Sequence, residues 1–485
     1  MKFPKKPINN DRDHRLVNRR DFLAQGLLAS AASLILPFNV QAQDACDLSS
    51  IAGVENPMIP VIVLDLAGGS NIAGGNVLVG GSEGQLNFLS DAGYRTLGLL
   101  PSELPSLAGM VEDITGNRTS PTGLLFHAQS GILAGLKATA AMETRQNTDG
   151  IIFCATSDDD TGNNPHNPMY WFHKAGARGS VAQLIGTNNS TSGGNSMAPA
   201  SSIDLAVSPL VIQRPADALN LVGMGARSRA FAGARESFIL RALDALSESR
   251  IKQLSRRHMP DYVKDLLLCK LSKSQALLQN FTPANLDPAQ DPAVLATFNN
   301  LGDGTQQRTA SVAKMVLDGY AATGTITIGG YDYHDGTRTL GDQRDRQTGE
   351  ILGRILQLAA LKRKPVVVYV YTDGGVGTNN ELDPVSGRLV WSGDSGNRSA
   401  TLMMVYNPTG RPGLTSNNRQ VGHYRTGGSV ETAASPMSNS VNNLAKAAVL
   451  NYLALHGKEG ELESVVGDNP FQGTMNRHLL FRRIA

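Results

Sequence analysis

Short apolar runs that never alternate with polar residues are the feature that most constrains this chain. They are "PVIVLDL" (60–66), "GIIFCAT" (150–156), "TGTITIGG" (323–330), "PVVVYVY" (365–371) and "ATLMMVY" (400–406). A strand with one face in water alternates; a run without alternation has both faces covered, as in a parallel sheet sandwiched by helices. Helical periodicity fills the intervals, in "ESFILRALDALSESRIKQL" (236–254), "RQTGEILGRILQLAALK" (346–362) and "VNNLAKAAVLNYLALHG" (441–457), the last ending on a glycine suited to a C-cap. Strands alternating with helices predict an α/β fold with a mostly parallel central sheet, helices on both faces and right-handed crossovers. All five runs are read as parallel strands. Residues 215–322 read as a mainly helical insertion broken by the proline-rich "NFTPANLDPAQDPAV". "GTNNSTSGGNSMAPASS" (186–202) is a polar loop that cannot build a core by itself. The 485 residues suffice for one large domain, placed at 58–470, followed by a basic tail at 471–485.

The N-terminus reads as an address. "NRRDFLAQGLLASAASLILPFNVQAQ" sets Arg19 and Arg20 before Phe22, Leu23 and an apolar run to Leu36, and Val40 to Ala42 offers the small residues that a signal peptidase reads. Residues 1–42 are therefore expected to be a twin-arginine signal recognised by that export machinery, with 43–57 as a linker and the product in the periplasm or outside the cell. The apolar run falls short of the roughly 20 residues a membrane span needs, and no later segment reaches about 18, so no span is expected after cleavage. A formal net charge of +2 offers no concentrated basic surface, and 5% aromatic residues offer few stacking platforms, so nucleic acid is excluded as an expected partner. The odd count of cysteines, Cys46, Cys154 and Cys269, rules out a full disulfide framework and leaves room for one pair.

In open α/β sheets, ligands collect beyond the carboxyl ends of the strands. The residues just past each run are thus the candidates. Asp65 closes the first and precedes "AGGSNIAGGN". The second leads into "TSDDDTGNNPHNP", with Asp158, Asp159, Asp160 and His166. "GGYDYHDG" (329–336) supplies Asp332, His334 and Asp335, and "PVVVYVY" is followed at once by Thr372 and Asp373. In an extended D-x-H the two side chains share a face, so Asp332 and His334 can reach one ion. Carboxylate oxygen with imidazole nitrogen suits zinc, manganese or iron better than calcium. The competing reading of each residue is a turn former or helix cap. The glycine-rich 68–84 lacks a P-loop's Lys-Ser/Thr ending and opens no G-x-G-x-x-G helix.

The order of these elements resembles a widespread, uncharacterised family of twin-arginine-exported bacterial proteins grouped with the alkaline phosphatase and sulfatase superfamily. "LDLAGGSNIAGG" is similar to that family's first loop, with Asn71 where the family has Asp. "NNPHNPMYWFHKAG" is similar to its Ser-His-Phe stretch, with His166 kept and Pro165 in place of Ser. "GGYDYHDG" matches best, with Asp332 and His334 in place and Tyr331 for Trp. Asp373 in "YTDGGVGTNN" stands for an acidic residue. "SGDSGNRSA" keeps Asp394 and has Ser395 in place of His. The resemblance implies metal ligands at Asp332, His334, Asp373 and His166, with Asp65 or Asp394 in support. It also implies a hydroxyl nucleophile, for which Thr156 or Ser157 would have to stand in, while His423 could replace a missing ligand. Two expectations follow: a divalent-metal-dependent hydrolase of phosphate or sulfate esters, or a non-catalytic periplasmic or cell-surface binding or assembly protein, partnering an envelope protein, that keeps the scaffold. The replacements at Asn71, Pro165 and Ser395 favour the second.

Overall fold

The computed structural model describes residues 58–158, 164–221 and 283–484. The export segment, the linker, Cys46, Asp159, Asp160, Cys269 and the 236–254 helix expectation lie outside them. The strands are β1 (Val61–Gly69), β2 (Val111–Asp113), β3 (Leu125–His127), β4 (Thr148–Phe153), β5 (Ala182–Gly186), β6 (Leu210–Val211), β7 (Ala321–Gly329), β8 (Val366–Gly377), β9 (Gly393–Ser395), β10 (Thr401–Tyr406) and β11 (Gln420–Val421). β2 and β3 form a separate two-stranded sheet. The rest make one nine-stranded sheet in the order β11-β4-β10-β8-β1-β7-β5-β6, with β9 paired to the end of β8.

The sheet is mostly parallel and belongs to the α/β class, as the unalternating runs predict. Its centre is β1, parallel to β7 on one side and β8 on the other, with Asp65 opposite Thr327 and Tyr371. β1 is covered on both faces. Ile62, Leu64 and Leu66 enter one core with helices α1 (Gly131–Thr139), α3 (Gly304–Leu317) and α4 (Thr339–Lys362). Val61 and Val63 enter another with α2 (Met169–Lys174) and α5 (Val441–Ala454). Burying both faces is what makes continuous apolar runs worthwhile, at about 25 cal/mol per Å² of apolar surface.

One expected strand direction is corrected. The run at 400–406 becomes β10, antiparallel to both β8 and β4. A parallel neighbour needs a crossover of about a dozen residues or more, usually helical. Here β9 turns back along β8, and one short turn at Gly396–Arg398 leads straight into β10. The 471–485 segment, read as a tail, packs on the body: Phe471, Leu480 and Phe481 are buried, and the Asn451 side chain accepts the Leu480 N–H at 2.9 Å.

Helices α1 and α4 meet through glycines. Gly131 and Gly135 on α1 lie against the α4 backbone, and Gly349 and Gly353 on α4 lie against α1; a Cβ at Gly135 would collide with the Arg346 carbonyl oxygen, and one at Gly349 with that of Ile132. Small residues let two backbones approach more closely than the usual 8–10 Å between helix axes. This contact sets where the first turns of α4 sit, beside the carboxyl end of β7.

Candidate metal centre

β1 ends in Gly68–Gly69; the backbone packed against Gly68 requires a glycine there, and Gly69 leaves room for the Asp394 side chain. A Cβ at Gly68 would strike the Asp332 amide nitrogen, and one at Gly69 would lie 2.6 Å from Asp394 Oδ1. The bare strand end therefore admits two chain segments at once. Past β7, the segment 331–334 runs alongside, with the Tyr331 N–H donating to the Ala67 carbonyl at 3.3 Å. Tyr331 and Tyr333 point into the core and are fully buried, so Asp332 and His334 emerge on the opposite side, as period-two geometry demands.

Asp394 comes from β9, opposite Val376 of β8. Trp391 joins this segment to the other: it accepts the Gly336 N–H at 2.8 Å and donates to the Thr337 carbonyl at 2.9 Å, while Arg338 stacks on its ring at 4.2 Å. The ligand atoms of Asp332, His334 and Asp394 all lie within 4.8 Å of one another. His334 Nε2 is 3.1 Å from Asp332 Oδ1, and its Nδ1 is buried without a hydrogen-bond partner among the described residues. The Asp332 side chain is 66% exposed and that of His334 35%, so a hydrated cation or an ester can approach. Two carboxylates with one imidazole form a donor set that fits zinc, manganese or iron.

The six ligand candidates read from the sequence do not form one cluster. The structure brings together Asp332, His334 and Asp394, and puts Asp65, His166 and Asp373 elsewhere. Tyr333 and Trp391 pack in the core of α1 and α4, whereas Tyr371 packs in the core of α2 and α5. On that second face Asp65 is fully buried. It accepts from the backbone N–H of Asn195 at 2.5 Å and of Ser196 at 3.1 Å, both in the polar loop 186–202, and from the Thr327 hydroxyl at 3.3 Å. Burial outweighs these bonds and, with the nearby Asp373 charge, raises its pKa to about 6. His166 is also fully buried and stacks on Tyr371, with centroids 5.2 Å apart and planes 12° from parallel. Neither ring nitrogen has a partner among the described residues, and desolvation lowers its pKa to about 3, so the imidazole is neutral.

Of the two hydroxyls proposed as nucleophiles, that of Ser157 is engaged in the fold. Ser157 donates its hydroxyl to the Asp373 carbonyl, which also accepts from Asn164 Nδ2 at 3.0 Å. At Thr156 it is the backbone that is held, its N–H donating to the Ser438 carbonyl at 2.9 Å. Among the other histidines, His127 Nε2 contacts the Glu103 carbonyl at 2.6 Å, and the His423 carbonyl accepts the Glu431 N–H. Cys154 is a buried free thiol.

A network that the sequence did not announce lies directly behind the trio. The Tyr333 hydroxyl donates to Asp345 Oδ1 at 2.6 Å and accepts the Asn71 N–H at 2.5 Å; Asn76 Nδ2 donates to Asp345 Oδ2 at 2.7 Å. Asp345 is fully buried, and desolvation holds its pKa up at about 7. The only sequence signal was indirect: if Asp332 and His334 face outward, the tyrosine between them must face inward and satisfy its hydroxyl. No protein-family model matches the chain, and no curated protein matches it.

Proposed function

We propose that the protein is an exported, metal-dependent hydrolase-like protein acting on phosphate or sulfate esters, with the cation held by Asp332, His334 and Asp394. The observation that carries this reading is the convergence of those three side chains at the carboxyl end of the central parallel strands, where α/β sheets place their ligands. A divalent ion bound there would supply a Lewis acid for the ester oxygens. The likeness of "GGYDYHDG" to the phosphatase and sulfatase superfamily supports the same chemistry. No helix among the described residues is long and apolar enough to cross a membrane.

One observation favours the second reading, a non-catalytic binding or assembly protein on the same scaffold. The Ser157 hydroxyl is spent on a backbone carbonyl, on the Asp373 side rather than against the trio. Elemental analysis of protein purified without added metal, beside the Asp332→Ala/His334→Ala double variant, tests the cation. Near-stoichiometric zinc, manganese or iron that vanishes in the variant is expected; equal and negligible metal in both, even after adding Mn²⁺ or Zn²⁺, overturns it. Turnover of aryl phosphate or aryl sulfate by the metal-loaded protein then separates hydrolase from binding protein.

A further inference from the structure

We propose that Tyr333 is a positioning residue for the cation site: its hydroxyl, clamped between Asp345 and the backbone of Asn71, fixes the orientation of Asp332 and His334. This inference rests on the cation reading above.

Tyr333 stands between the two ligands in an extended segment. Any rotation of that segment about its own axis swings Asp332 and His334 together and carries Tyr333 with them. The tyrosine cannot follow. Its ring is 1% exposed and packs beside Trp391, with centroids 6.4 Å apart. Gly341, in the first turn of α4, leaves room for both rings; a Cβ there would lie 2.7 Å from Tyr333 Cδ2 and 2.8 Å from Trp391 Nε1.

The hydroxyl is where separate parts of the fold meet. Asn71 belongs to the loop that begins at Gly68–Gly69, the glycines that seat Asp332 and Asp394. Ser70 Oγ is 3.3 Å from the same hydroxyl. Asp345 belongs to α4, and its second oxygen continues through Asn76, whose Oδ1 accepts from Ser130 Oγ at 2.8 Å and the Ile132 N–H at 3.0 Å at the start of α1. Thus one phenol oxygen ties the ligand segment to the β1 loop and, through Asp345, to two helices locked by their glycines. Partners behind metal ligands commonly change affinity 10- to 100-fold when removed, because they hold the ligands in place.

A hydrogen-bonded staple with no role at the site would change stability and leave affinity untouched, which sets the experiment. Mn²⁺ titration of the full chain, counting free ion by electron paramagnetic resonance, is compared for the wild type, Tyr333→Phe and Val316→Ala, with circular dichroism and urea unfolding recorded for each. Val316 is fully buried at the end of α3 and away from the trio, so its truncation supplies a stability loss alone. The expected result is folded Tyr333→Phe binding Mn²⁺ about tenfold more weakly than wild type, with Val316→Ala unchanged. Wild-type affinity in Tyr333→Phe overturns the proposal, as does an equal weakening in Val316→Ala. Should Tyr333→Phe not fold, the volume-conserving Asp345→Asn is judged by the same criteria. If the wild type binds no more Mn²⁺ than Asp332→Ala/His334→Ala, the cation reading itself fails; that outcome is distinct from tight wild-type binding that Tyr333→Phe retains.

Discussion

Asp65 shows how far a single residue's role depends on its surroundings. In sequence it is a carboxylate at a strand end, equally suited to a metal or a turn. In the fold it is sealed beneath the 186–202 loop, holding the backbone of Asn195 and Ser196. Its folded pKa of about 6 exceeds the ordinary 3.8, so the folded state binds a proton more tightly than the unfolded one. Stability from this group is complete below about pH 4 and is lost as pH rises through about 6, by roughly 3 kcal/mol in all. Asp345, with a folded pKa of about 7, adds a loss of the same sign at slightly higher pH. Urea unfolding in chelator between pH 4 and pH 8 is therefore expected to show Asp65→Asn gaining on the wild type as pH rises. A wild-type-minus-variant difference that stays flat across that range would exclude the assignment. By contrast, that Asp332 and His334 share a face was legible from D-x-H alone, since alternation needs no tertiary information; that this face is the outer one follows from the burial of Tyr331 and Tyr333.

Among the elements, α4 carries the most information about the site. Its helical pattern was readable over 346–362, but the helix begins at Thr339, and its first turn holds Gly341 against Tyr333 and Trp391. The glycines facing α1 had no meaning in the sequence, because a glycine within a helical pattern signals nothing until its partner helix is known. Gly349→Leu is expected to lower stability by about 3 kcal/mol, at the upper end of overpacking costs, because the obstacle is the Ile132 backbone rather than a movable side chain. Gln343→Ala, on the exposed face of the same helix, is expected to stay within about 0.5 kcal/mol. Chemical denaturation of both variants checks this; equal effects would mean that the helix contact is looser than its geometry. The direction of β10 belongs to the same scale. Its apolar run announced a buried strand, and only the missing crossover helix between 372 and 400 hinted that the chain would return antiparallel.

At the scale of the whole molecule, the C-terminal segment closes the core of α2 and α5. Phe471, Leu480 and Phe481 are buried there, and Asn451 on α5 holds the Leu480 and Phe481 backbones. Truncation after residue 470 removes two buried phenylalanines, each worth about 3–5 kcal/mol in substitution to alanine, which approaches the total stability of an ordinary domain. The truncated chain is expected to show no cooperative thermal transition; a normal transition would mean the segment is an accessory. The sequence by itself determined the class of the fold, since apolar runs without alternation need helices on both faces, and it drew attention to the carboxylates and histidines at the run ends. Which run ends meet was decided only by tertiary structure. Asp394 joins Asp332 and His334 because two bare glycines at the end of β1 leave space for both segments, and Trp391 bridges them. Asp65 and His166 are held apart because alternation along β1 and the stacking of His166 on Tyr371 place them with the other core. Side-chain period and apolar content are local properties of a chain, whereas strand order and close backbone approach depend on partners distant in sequence.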